Sequence, residues 1–320
     1  MKWSFSKSKM FRKCQKQWYF YEILANPRSR DALRHEAYLL KQLQSIYAWR
    51  GSLVDKVISN FIIPRIKAGS MPTEKEVLGF ASGLAEKQLA FGTACKHRGS
   101  GITKTACGAD YSAFYEVEYN GGLDAGMLSK AKDEINLSLK NLLSSNFFRE
   151  FSYGRNVINM IPQRTLSFQF AGENVSATPD LIIFFRDDYP AIVDWKVHYF
   201  GAAEYWLQLG IYALSLSKVK PHVDFPSIAY DKLKDPAKIR LIEYQLLQDK
   251  QREHSVAQDD VAEIEDYIFS SITSINSITK NNGSVDANVF QSAHSPSTCV
   301  RCQFKKICWD NPQGVDHGSN

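Results

Sequence analysis

The apolar positions of this chain change period after about residue 160. Before that point they recur every three to four residues, which predicts helices over 7–24 and 31–63. The second is expected to break at Arg50-Gly51-Ser52 and to resume through Leu53, Val54, Val57 and Ile58. Thr73, with Glu76 three residues later, reads as a capping box opening a helix to about Phe91. Residues 92–110, rich in Gly, Thr, Lys and Arg, read as a loop, and Leu128 to Phe151 as a further helix. Thr165–Phe170, Val175–Phe185 and Ala191–Val197 then alternate or run apolar, the pattern of a three-strand meander. A helix over Ala202–Ser217, strands at Val223–Tyr230 and Ile239–Leu247, a helix over Asp260–Ser277 and a polar tail from Asn311 complete the chain. This order predicts an α/β protein with a mixed central β-sheet flanked by helices, not a regular βαβ alternation.

The sharpest local signal lies between the second and third strands. Pro179-Asp180 leads into Leu181–Phe185, and Ala191-Ile192-Val193 leads into Asp194-Trp195-Lys196. A polar turn, Arg186–Pro190, separates them. A hairpin centred on Asp187 puts Asp180 opposite Asp194, with Lys196 on the same strand face as Asp194. Opposed carboxylates repel, and a divalent cation between them removes that cost. Two acids and a lysine on a metal form a chemistry suited to phosphodiester hydrolysis. A solvated edge hairpin with a surface ion pair is the simpler alternative; the apolar runs on both sides argue against it. Gln208 and Tyr212, four apart on the next helix, share a face that can meet the carboxylates.

Composition adds where charge and sulfur lie. The net charge is +5, but residues 1–50 carry eleven Lys/Arg against three Asp/Glu, so the remainder is slightly acidic. That imbalance fits either a nucleic-acid footprint or a solvated helix face. The basic-aromatic stretch with Lys7, Lys9, Arg12, Lys13, Trp18 and Tyr19 reads equally as a phosphate-tracking, base-stacking arm or as an amphipathic helix packed around Cys14. The N-terminus is too charged for a signal peptide and no apolar run is long enough to span a membrane, so a cytoplasmic protein is expected.

Six cysteines are too few for a disulfide scaffold. Cys299, Cys302 and Cys308 are clustered, and Cys14 makes a fourth at the other end of the chain. Four thiolates suit an iron–sulfur cluster or zinc; a single C-x2-C knuckle favours the cluster, here [4Fe-4S], over Zn2+. Either would staple the chain ends together. Cys95, His97 and Cys107 read as ordinary side chains of the 92–110 loop.

Together these residues resemble the RecB/AddB-type branch of the PD-(D/E)XK nuclease superfamily, in particular its iron–sulfur members. Ser4-Phe5-Ser6 through Cys14 and Trp18-Tyr19-Phe20 resemble that family's N-terminal cluster segment, and Arg50–Val54 its helix bearing a metal-binding histidine. The histidine position is Asp55, whose oxygen suits hard cations. The resemblance implies a single nuclease domain with a restriction-endonuclease-like core. Its parts are a cluster segment and basic arm (1–50), a helical region (51–160), the catalytic core (161–250), a C-terminal helix and cluster segment (251–310) and a tail (311–320). It implies catalytic Asp180, Asp194, Lys196, Gln208 and Tyr212. Mg2+ or Mn2+ would be held by Asp55, Asp180, Asp194 and the Trp195 carbonyl, and the cluster by Cys14, Cys299, Cys302 and Cys308. The implied substrate is DNA, single-stranded or with free ends, in repair, recombination or defence. No GxxxxGK[ST] motif occurs, so ATP-driven unwinding would need a helicase or defence-complex partner. Asp55 also keeps open a catalytically inactive binding or scaffolding subunit.

Overall fold

The computed structural model describes residues 2–154, 156–198, 205–280 and 286–309. Strands are β1 (Lys2–Trp3), β2 (Val157–Pro162), β3 (Leu166–Phe170), β4 (Glu173–Ala177), β5 (Leu181–Phe185), β6 (Ala191–Lys196), β7 (Arg240–Gln245) and β8 (Lys250–His254). The first helices are α1 (Phe5–Lys13), α2 (Gln15–Tyr19), α3 (Ala32–Lys41), α4 (Ile46–Val57) and α5 (Ile63–Lys67). Next come α6 (Glu74–Thr93), α7 (Lys104–Cys107), α8 (Tyr115–Asn120), α9 (Ala125–Ser144) and α10 (Asn146–Tyr153). The last are α11 (Tyr205–Lys218), α12 (Tyr230–Leu233), α13 (Gln258–Thr279), α14 (Pro296–Val300) and α15 (Lys305–Trp309).

The main sheet has the order β2-β5-β6-β7-β8. Only β6 and β7 pair in parallel, joined by a crossover containing α11. Every residue of β5 is buried, because helices cover both faces of the sheet. Ile182, Phe184 and Ile192 face a core shared with α1, α11 and α13, while Leu181, Ile183, Val193 and Trp195 face one shared with α4, α6 and α9. In the first core Gly210 lets α11 approach α13, for an added Cβ would lie 2.6 Å from Ile264. At the outer edge, β8 reads Lys-Gln-Arg-Glu-His, a polar strand that resists further pairing.

Several expectations hold. The Thr73–Glu76 capping box is formed, and the last long helix spans Gln258–Thr279. The helix expected from Ala202 is seen from Tyr205; residues 202–204, like the tail at 311–320, lie outside the described residues.

Others are corrected. The meander is divided: β3 and β4 pair through a tight turn at Ala171 and Gly172 (φ 49° and 73°) and join β1 in a separate small sheet, whereas β5 belongs to the main sheet. Pro179 lies in the break between β4 and β5, where its missing N–H costs no ladder bond. The helix runs unbroken through Arg50-Gly51-Ser52, and the interruption falls at 42–45, where Ser45 caps α4. The stretch expected as one helix over 7–24 is divided at Cys14, and the one over 128–151 at Ser145, which caps α10. Val223–Tyr230 is not a strand but a helical turn at Ser227–Ala229 leading into α12. Pro221 and Pro226 deprive it of ladder donors, and Phe225 anchors it on Phe184, ring centroids 5.1 Å apart. Residues 92–110, expected as loop, contain short helical turns.

Candidate active site

The β5–β6 register pairs Leu181 with Val193, Ile182 with Ile192 and Ile183 with Ala191. Continued one residue, it sets Asp180 against Asp194 at one end of the sheet, as a hairpin centred on Asp187 requires. The Trp195 N–H donates to Asp180 Oδ2 at 2.8 Å. Lys196 Nζ forms a close ion pair with Asp194 Oδ2. Gln208, on α11, donates to Tyr212 Oη at 2.6 Å and more weakly to Asp194 Oδ1 at 3.4 Å. Asp55 arrives from α4 on the opposite layer and lines the same pocket, of about 240 Å³. Two helical layers and two strand ends thus converge on one point. The Trp195 side chain turns the other way, packing its ring 6.2 Å from Phe147.

Burial dominates the electrostatics. It raises the Asp180 carboxyl well above the usual range, and the charges of Asp194 and Asp55 raise it further. Asp194 is also raised by burial, against the pull of Lys196. Asp55 is pushed up to about 6, chiefly by burial, with Gln163 opposing. For Lys196 burial favours the neutral amine, but the charge of Asp194 prevails and the ammonium is favoured. Burial, and then Asp194 and Asp180, keep the Tyr212 phenol protonated. Three carboxylates facing one ammonium therefore stay ionised together only at a cost that protons or a cation relieve.

The donor set fits a hard divalent cation: three carboxylates are gathered, and Asp55 Oδ1 is buried without a hydrogen-bond partner among the described residues. Yet no group of three or more His, Cys, Asp or Glu among the described residues is arranged as a finished metal site. N–H donors face the acids instead. The Gln163 side chain donates to Asp55 Oδ2 at 2.7 Å and to Asp180 Oδ1 at 3.4 Å, bridging them.

Gln163 is absent from the sequence reasoning. It follows β2, holds a left-handed backbone (φ 52°), and its N–H donates to the Asp180 carbonyl at 3.0 Å. Its only linear hint is an uncommitted polar residue in the Pro162–Thr165 turn. Glu243 was missed too. It pairs in register with Asp194, lies 1% exposed, and bonds His254 at 2.9 Å and the Gln245 amide. A glutamate inside the apolar run of β7 is the signal that could have found it. Arg50, which opens the Arg50–Val54 motif, is buried and bonds both Glu134 and the Val197 carbonyl, fixing the end of β6 to α4 and α9.

The cysteines meet at another place. Cys14, Cys299, Cys302 and Cys308 line one pocket of about 640 Å³. Burial pushes the Cys302 thiol up to about 12, with the three other sulfurs adding to the rise. Backbone amides of Gln17 and Phe304 donate to the sulfurs of Cys14 and Cys302, both at 3.4 Å. Four thiols with amide donors fit a thiolate-held cluster or zinc. The chain ends also meet through protein contacts alone: Lys16 N–H donates to Gln291 O at 3.1 Å, and Tyr19 packs 4.9 Å from Phe290. Trp18 and Tyr19 are 2% and 8% exposed, so the base-stacking role considered for them is overturned. His97, in the 92–110 segment, is buried.

A sheet whose strand ends present opposed carboxylates, a lysine and a supporting helix is consistent with the nuclease class of hydrolase that the family comparison gives. The family model of the PD-(D/E)XK nuclease superfamily matches residues 2–309, and the chain belongs to that superfamily. No curated protein matches it significantly. Among solved structures it is similar to a putative exonuclease from Eubacterium rectale, at 13% identity over 89% of this chain and 91% of that one, TM-score 0.34. It is also similar to SSO0001, at 16% identity over 63% of this chain and 80% of that one, TM-score 0.29. Protein VC1899 from Vibrio cholerae matches at 13% identity over 75% of this chain and 62% of that one, TM-score 0.25.

Proposed function

We propose that the chain is a metal-dependent deoxyribonuclease of the RecB/AddB type, acting in the cytoplasm on single strands or frayed ends. The convergence of Asp55, Asp180, Asp194 and Lys196 on one pocket carries the reading. Asp55, Asp180, Asp194 and the Trp195 carbonyl would hold Mg2+ or Mn2+, which supplies Lewis-acid activation of water and charge relief at phosphorus. Asp180 is fixed by the Trp195 N–H, so its geometry follows the strand register. Lys196 shares the face of Asp194 and is placed to hold attacking water or to balance charge on the phosphate. Gln208 and Tyr212 orient Asp194 from α11. The pocket is small, about 240 Å³, and Asp194 is 3% exposed, which suits an extended strand better than a duplex.

Cys14, Cys299, Cys302 and Cys308 would hold a structural [4Fe-4S] cluster, since four thiolate ligands leave no position for substrate. A brown preparation bleached by dithionite distinguishes it from zinc. Purified protein with Mn2+ is expected to degrade labelled DNA, and Asp194→Ala and Lys196→Ala each to abolish cleavage. Retained cleavage in both variants refutes the assignment. DNA retention without turnover under every divalent ion would identify an inactive binding subunit instead.

A further inference from the structure

Gln208 and Tyr212 line not only the carboxylate pocket but also a larger groove of about 590 Å³, so the two spaces share these side chains as a common boundary. The N-terminal segment lines the groove with Lys2, Lys7, Lys9, Ser4 and Ser6, and Thr178, just before Pro179-Asp180, lines it as well. Among the described residues, no carboxylate lines it. Lys7 is half-buried and pairs with Glu22 at 2.6 Å; Lys2 and Lys9 are exposed to solvent, Lys9 lying 5.6 Å over the Phe5 ring. The first turn of α1 contains no acidic residue.

We propose that this groove carries the sugar–phosphate backbone of one DNA strand to the carboxylate pocket. Lys2 and Lys9 meet phosphates, and the hydroxyls of Ser4, Ser6 and Thr178 donate to phosphate oxygens. A row of cations and hydroxyls leading to buried acids is complementary to a polyanion whose chain must pass a reactive point. The aromatic residues lining the groove, Phe5 and Tyr212, are buried and offer little ring surface for stacking, so the groove reads backbone rather than bases. The proposal rests on the nuclease reading only for what happens at the inner end of the groove.

The test is binding of a labelled oligothymidylate by the full chain in EDTA, titrated with salt, with cleavage in Mn2+ measured separately. Lys2→Ala/Lys9→Ala is expected to weaken binding on the order of tenfold at low salt and to make the log–log salt slope shallower by about 1.4, the share of two phosphate contacts on a single strand. Lys2→Arg/Lys9→Arg restores both. Lys130→Ala/Lys132→Ala, which removes two charges from the exposed face of α9, changes neither. Unchanged affinity and slope in the alanine double variant, or no binding by the parent chain, overturns the proposal. A binding defect in a chain that never cleaves leaves the groove standing and removes the nuclease reading. Cleavage together with an unaltered salt slope does the reverse.

Discussion

The carboxylate end and the cysteine end of the molecule are assembled on opposite principles. Asp194 and Lys196 sit on β6 and Asp180 immediately precedes β5, strands buried from both faces, and their relative positions follow from sheet register. Each acid already has an N–H donor: Trp195 for Asp180, Gln163 for Asp55, and Lys196 with Gln208 for Asp194. The cysteines instead sit on or beside short helices around a wide pocket, and all four are only half-buried. Backbone geometry specifies the first site, so it should keep its arrangement with or without a cation. If the second holds the proposed thiolate-bound cluster, its ligand and its local fold should be lost together.

The largest expected effect breaks that comparison if it fails. Cys14→Ala or Cys302→Ala should lower apparent stability by on the order of several kcal/mol. The measurable results are loss of soluble protein and protease nicking within 286–309. Asp194→Asn should remain soluble and folded. Cysteine variants as protease-resistant as the parent would show that contacts such as Tyr19–Phe290 suffice to hold the ends.

The next effect is smaller and tests the carboxylate end through pH. The folded-state carboxyls of Asp55, Asp180 and Asp194 are raised, Asp55 to about 6. The folded protein therefore binds more protons than the unfolded chain above the ordinary carboxylate range. Their favourable contribution is complete below about pH 4 and is lost as pH rises through about 6 and beyond. Glu173, lowered to about 2 by Lys280, acts in the opposite sense, and only as pH falls below the ordinary glutamate range. Melting temperature should thus fall from about pH 4.5 to 7 by a few degrees. Mn2+ should restore it at neutral pH and do little near pH 4.5, because protonated carboxyls bind cations poorly. Asp180→Asn should flatten the profile. A cation effect of equal size at both pH values would remove the carboxylates from the account.

How far each end was legible follows from the same contrast. Asp180 and Asp194 could be paired from sequence because a hairpin symmetric about Asp187 leaves one register, and Gln208 and Tyr212 because four residues make one helical turn. Cys299, Cys302 and Cys308 were legible as a group from spacing, whereas Cys14, at the other end of the chain, joined them only through the ligand count and the family resemblance. Gln163 was not, since its place between Asp55 and Asp180 exists only once β2 lies beside β5. Glu243 and His254 meet across β7 and β8, and the wholly polar β8 gives no hydrophobic period to read. The division of β4 from β5 into two sheets was hidden because an apolar run does not declare which sheet it joins; Pro179 was the available clue.

Gln163 supplies the finest test, because substitution there separates backbone from side chain. Both Gln163→Gly and Gln163→Ala delete the amide that bridges Asp55 and Asp180, so both should destabilise the cation-free protein at neutral pH through the same carboxylate repulsion. They differ in the left-handed backbone at φ 52°, which glycine adopts freely and alanine does not. Glycine also has more unfolded-state freedom to lose, so the net advantage of Gln163→Gly over Gln163→Ala should be no more than about 1 kcal/mol in chemical denaturation. Mn2+ should narrow the gap between the parent and both variants, since a cation replaces the bridging amide, while leaving the glycine–alanine difference unchanged. Should Mn2+ erase that difference instead, the left-handed turn belongs to the cation-free arrangement alone, and the carboxylate end is less rigid than its strand register implies.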